Sequence, residues 1–141
     1  MKPNSMESFF TRSSANTGID LPLYTPDGLK SEHSLHIIGV DSDIFRQTEL
    51  TEKRRAVSDT RSAGKDPVEL DKLVEESKLR LLASLIVSWT FEQECSLENK
   101  LNFLREAPQI AQAINTHSAD RTLFFVNAST NSADSQKPTS D

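Results

Sequence analysis

Ile19, Leu21 and Leu23 alternate with Asp20, Pro22 and Tyr24, the period-two pattern of a half-buried strand. Pro22 has no N–H to give to a ladder, which predicts an edge strand with that position turned away from its partner. Thr25-Pro26-Asp27-Gly28 is a turn, because Pro presets the second position and Gly tolerates positive φ. A second strand, Leu35 to Gly39, completes a two-stranded antiparallel ribbon. Such a ribbon is marginal alone in water, so it must lie on helices or pair with another subunit.

The period then lengthens to that of helices. Asp41 and Ser42 are N-cap residues for a helix over about 42–57, whose thin apolar face holds Ile44, Phe45, Thr48 and Ala56. A polar linker is expected over 58–65. Asp66-Pro67-Val68-Glu69 places a cap, a proline at the first helical position and an acid behind it. The helix it opens is expected to run from Pro67 to Phe91, with Leu70, Leu73, Val74, Leu81, Leu82, Leu85 and Trp89 on one stripe. Its end, LRLLASLIVSWTF, is apolar but shorter than the roughly 20 residues a bilayer requires and contains Arg80. Ile86 and Val87 lie off the stripe, which suggests cover from more than one side. Ser96 caps a third helix carrying Leu97, Leu101 and Leu104, and Pro108 both ends it and opens a fourth with Ile110 and Ile114. Polar residues 115–120 interrupt, and a last turn presents Leu123, Phe124 and Phe125. The expected fold class is α+β, mostly α: a short N-terminal two-stranded antiparallel ribbon packed on a bundle of about four helices.

Composition trims this picture at both ends. The chain has 141 residues and a net charge of -5, a size that favours one domain. Residues 1–18 and 127–141 are too poor in apolar side chains to offset the entropy of ordering them. They are expected to be a flexible extension and a disordered polar tail around a single domain over 19–126. Cys95 is the lone cysteine, so the chain can form no internal disulfide and no cysteine-based zinc site. Phe9 and Phe10 are not followed by a signal-peptide core, which favours a cytosolic chain. The basic run from Lys53 to Lys65 lacks interleaved aromatics and is best read as a solvated helix end, so nucleic-acid binding is not expected.

Candidate chemistry is sparse. His33, His36 and His117 lack metal-site spacing, and nothing in the sequence joins them to Cys95 as a nucleophile pair. The acid pairs Asp41/Asp43, Glu75/Glu76 and Glu92/Glu94 are explained by helix capping and solvation. No phosphate-cradling glycine motif occurs. No catalytic residue, cofactor or metal is therefore assigned. The aromatics carry more information. Core packing is their default role, but so small a domain has limited room, and Trp89, Phe91, Phe103, Phe124 and Phe125 are the candidates for a partner-binding patch. Ile19, Leu21 and Leu23 mark an edge through which copies of the chain would self-associate by strand addition.

Three segments taken in order, LHIIGVDSDIFR (35–46), LRLLASLIVSWTFEQECSLENKLNFLREAPQIAQAI (79–114) and ADRTLFF (119–125), resemble the tail assembly chaperones of long-tailed bacteriophages. The resemblance covers about Leu21 to Phe125. It implies a non-enzymatic protein of the host cytoplasm that binds the tape-measure protein, keeps it soluble, recruits the major tail tube protein and is absent from the mature virion. Coating a long helical polymer suits a small module with an apolar groove. The runner-up is a structural tail-completion or head–tail joining protein retained in the virion. A DNA-binding helix-turn-helix over Ser96 to Asn115 ranks third, because Gln109 to Asn115 offers no Lys or Arg to phosphates.

Overall fold

The computed structural model describes residues 5–125, a mostly helical α+β chain. A 3-10 turn (Met6–Phe9) and helix α1 (Arg12–Thr17) precede strands β1 (Ile19–Tyr24) and β2 (Lys30–Ile37). Helices α2 (Asp43–Ala63) and α3 (Pro67–Ser84) follow, then β3 (Ile86–Trp89), α4 (Leu97–Glu106) and α5 (Pro108–Ser118), with a last helical turn over 121–125.

The ribbon is present, joined by a third strand. The antiparallel sheet has the order β1-β2-β3, with Leu21 opposite Leu35 and Leu35 opposite Trp89. This corrects the expected central helix, which stops at Ser84 rather than Phe91. The reason lies in β2. Leu35 and Ile37 are 0% exposed, and a buried strand cannot leave one row of N–H and C=O groups unpaired. The β-branched pair Ile86 and Val87 suits the extended conformation that fills that edge. The Thr25–Gly28 turn forms as expected, with Gly28 at φ 88° and its N–H donating to the Thr25 carbonyl at 2.8 Å.

After β2 the chain is stitched to three other parts of the molecule. Ile38 N–H donates to Leu85 O (2.9 Å), Gly39 N–H to Ala15 O (3.1 Å) and Val40 N–H to Ser118 O (3.0 Å). A Cβ on Gly39 would stand 3.1 Å from that of Ala15, so glycine permits the approach of α1. Ala15 is buried, so within the expected flexible extension over 1–18 helix α1 packs on the body, while Met6–Phe9 buries nothing; residues 1–4 and the expected tail over 127–141 lie outside the described residues. The core joins the inner sheet face to Ala83, Leu104, Ile110, Ile114 and Phe124.

Three of the caps read from sequence are made. Ser42 Oγ accepts from Phe45 N–H, Asp66 from Val68 and Glu69 N–H, and Ser96 Oγ from Asn99 N–H. Helix α2 continues through residues 58–63, leaving only Gly64 to Asp66 to turn into α3. These two helices form a hairpin arm with an unusual interior: no residue from 53 to 82 is buried. The arm is held instead by Glu52, only 6% exposed, whose carboxylate accepts from Arg80 Nε and Nη2 (both 2.9 Å) and Ser77 Oγ (2.8 Å). Burial pushes the Glu52 carboxyl up, but the hydrogen bonds from Arg80 and Ser77, with the charges of Arg80 and Arg55, outweigh it and leave it below the usual carboxylate range. Among the described residues no helix is long and apolar enough to cross a membrane.

Candidate polypeptide-binding surfaces

Side chains alternate across a strand, so His33 shares the inner sheet face with Leu35 and Ile37, and Trp89 joins it opposite Leu35. Helices cover that face over most of its area. Where β2 pairs with β3, Phe103 of α4 packs against it. There Trp89, Phe91 and Phe103 meet edge to face, with ring centroids 5.2–5.8 Å apart. The His33 ring lies 4.7 Å from Phe91. Three of the residues expected to bind a partner thus come together, each half-buried.

The cluster is fixed by polar groups at its edge. Trp89 Nε1 donates to the Gln93 carbonyl (2.7 Å), and Thr90 Oγ1 meets His33 Nδ1 at 2.9 Å while accepting from Ser34 N–H at 3.0 Å. Beside the rings opens a cleft of about 300 Å³ whose far wall is Asn99, Asn102 and Glu106 of α4. An aromatic floor with amide and carboxylate walls suits an apolar side chain on a polar backbone. The sequence offers His33 as a metal ligand or as a base for Cys95, not as a member of this cluster. Its strand phase relative to Leu35 was the signal that could have found it.

The remaining candidates fall elsewhere. Phe124 is 3% exposed and packs in the core, with its Cδ2 near Gly39. Phe125 is exposed beside it. The last turn that carries both is tied down by Arg121, which donates to Asp41 from Nε (2.5 Å) and Nη2 (2.9 Å). The hydrogen bond from Arg121 holds the Asp41 carboxyl below its ordinary range, against a smaller opposing effect of burial.

β1 is an edge strand, as its pattern predicts. Its Ile19, Leu21 and Leu23 side chains, however, are 6–7% exposed and belong to the core. Ser31 Oγ donates to the Leu23 carbonyl from the β2 side (2.7 Å), so odd positions face β2 and the imino nitrogen of Pro22 faces the free edge. An added strand would find no donor there, the usual protection of an exposed edge. A groove of about 520 Å³ runs between this edge and α5, with Gln109, Ile110 and Ala113 on its far side.

The polar candidates have local partners. His36 bonds Asp20 (2.8 Å) and the Thr17 carbonyl (2.8 Å), and His117 bonds the Ala113 carbonyl (2.8 Å). Burial pushes the Cys95 thiol up, against a weaker pull from Lys100, so thiolate is scarce at neutral pH. Among the described residues no group of three or more His, Cys, Asp or Glu could hold a metal ion. Compared with protein-family models, curated proteins and solved structures, the chain matches none.

Proposed function

We propose that this chain is a polypeptide-binding assembly factor, a tail assembly chaperone that grips an apolar stripe of the tape-measure protein in the cleft beside Trp89, Phe91 and Phe103. The observation that carries the reading is the half-buried aromatic cluster beside an open cleft where β3 and its following loop meet α4. Rings already ordered against one another lose little entropy on binding, and a polar rim excludes water around them. The segments that resemble the phage chaperones supply this cluster: Trp89, Phe91 and Phe103 all lie between residues 79 and 114. In this reading the major tail tube protein is the second partner, and the chain leaves before the particle is complete.

Co-expression with the tape-measure protein of the same genome tests it. The two chains should co-purify, and the double substitution Phe91→Ala, Phe103→Ala should abolish this while circular dichroism still shows a folded chain. Unchanged co-purification would remove the cleft from the function. Mass spectrometry of purified virions addresses the competing role, since stoichiometric copies in the particle would make the chain a structural tail-completion or joining subunit.

A further inference from the structure

The hairpin arm displays charges it does not use. Residues 53–65 hold five basic side chains and one acidic, and residues 66–76 hold five acidic and one basic. Near the tip of the arm α2 is therefore positive and α3 negative, whereas Asp43, Glu49 and Glu52 at the base of α2 and Lys78 and Arg80 at the base of α3 bring each whole helix close to neutral. Among the described residues, Lys53, Arg54 and Arg61 of α2 and Asp71 of α3 make no ion pair, and Glu75 reaches only Lys78 of its own helix, at 3.5 Å.

The apolar residues left bare on the arm share stripes with these charges. Leu50 and Val57, 54% and 56% exposed, are seven residues apart on α2, and helical spacing puts Lys53, Arg54 and Arg61 on the same stripe. On α3, Val74 is 52% exposed and lies between Asp71 and Glu75. Between the helices runs a slot of about 180 Å³ walled by Ala56, Thr60, Leu70, Leu73, Val74 and Leu81. Two helices cannot bury their own facing stripes this way, whereas four can.

We infer that the arm is a dimerisation element, and that its occupant is the arm of a second copy of this chain, closing a four-helix bundle. Charge selects the geometry. A two-fold axis running along the arms sets the basic tip of each α2 against the acidic tip of the partner's α3, with neighbouring helices antiparallel. A two-fold axis across the arms would stack α2 on α2 and oppose like charges, which is destabilising. The inference concerns a face other than the aromatic cleft and stands independently of the proposed function.

Charge reversal in separate copies tests both the interface and its axis. The wild-type chain should scatter light as a dimer at tens of micromolar. Lys53→Glu, Arg54→Glu, Arg61→Glu makes the tips of both helices acidic, and Asp71→Lys, Glu75→Lys turns α3 basic beside the unchanged basic tip of α2. All five sites face solvent, so each variant should keep wild-type circular dichroism. Each alone should be monomeric, with self-affinity reduced at least tenfold, and an equimolar mixture should recover the dimer. A wild-type chain that remains monomeric at millimolar concentration would overturn the inference. So would variants that self-associate like the wild type, or a mixture of two folded monomers that fails to pair.

Discussion

The body and the arm of this molecule both contain helices with side-chain caps and are held together by opposite means. In the body, Leu35, Ile37 and Ile114 are 0% exposed, and strands and helices bury one another's apolar faces. In the arm, longer helices bury a carboxylate and leave their valines in water. Length and capping thus say little about how well an element is covered. A helix earns its place in a core by what packs on its stripe, and the arm's stripe is only half used. The body is a finished structure; the arm is finished only when something lies on it.

Truncation should separate the two most sharply. Leu35→Ala removes a side chain packed between two strands and the helices beneath, and should lower unfolding free energy by about 4 kcal/mol. Val57→Ala on the arm should change it by less than about 0.5 kcal/mol in dilute monomer. Urea denaturation of both variants measures the contrast, and similar losses would mean the arm is better covered than its exposure indicates. Gly18→Ala strikes the body through the backbone. Gly18 has φ +80°, and a Cβ there would lie 2.4 Å from the Ile37 carbonyl oxygen. Strain and clash together should cost about 3 kcal/mol, read as a fall in melting temperature.

Breaking the polar lock should affect the arm alone. Glu52→Ala leaves Arg80, 18% exposed, without its partner. Loss of one member of a buried pair costs more than the pair contributes, and partial access of Arg80 to water brings the expected loss to about 2 kcal/mol. Hydrogen exchange should quicken over residues 43–84 and stay unchanged in β1, β2 and α5. Uniform acceleration would show that arm and body unfold as one unit.

What could be read beforehand divides along similar lines. Ser42, Asp66, Ser96, Pro67 and Pro108 act on residues within four positions of themselves, so local pattern placed these helix starts. The alternation of Ile19, Leu21 and Leu23 likewise gave β1 and its edge position. β3 was not legible, because LASLIVSW has the composition of a buried helix. Only β2's need for a second neighbour, some fifty residues earlier in the chain, turns it into a strand. The same long-range pairing brings His33 to Phe91 and opens the aromatic cleft. Folding of α1 depends on Gly39 receiving Ala15, a contact no periodicity announces. For the candidate site, residue types were readable and their meeting was not: Trp89, Phe91 and Phe103 converge, while Phe124 turns into the core.

The gentlest way to weigh arm against body is acid. Glu52 in the arm and Asp41 in the body both titrate below the usual carboxylate range, Glu52 because the bonds from Arg80 and Ser77 overcome its burial and Asp41 chiefly through Arg121. A carboxyl whose folded pKa is depressed stabilises the fold in full above its unfolded pKa, and that contribution disappears as pH falls through the folded value. The difference in unfolding free energy between wild type and Glu52→Gln should therefore be flat from pH 8 to pH 6 and shrink as pH drops below about 4, where unfolded glutamate takes up its proton. Asp41→Asn should follow the same course with smaller amplitude, because Arg121 is 59% exposed and solvent weakens its hold. Its effect should appear in the final turn, as faster exchange over 121–125, and Glu52→Gln should leave that turn untouched. If instead both substitutions loosened the same residues in the same pH window, the two regions would share one electrostatic lock, and the arm could not open independently of the body.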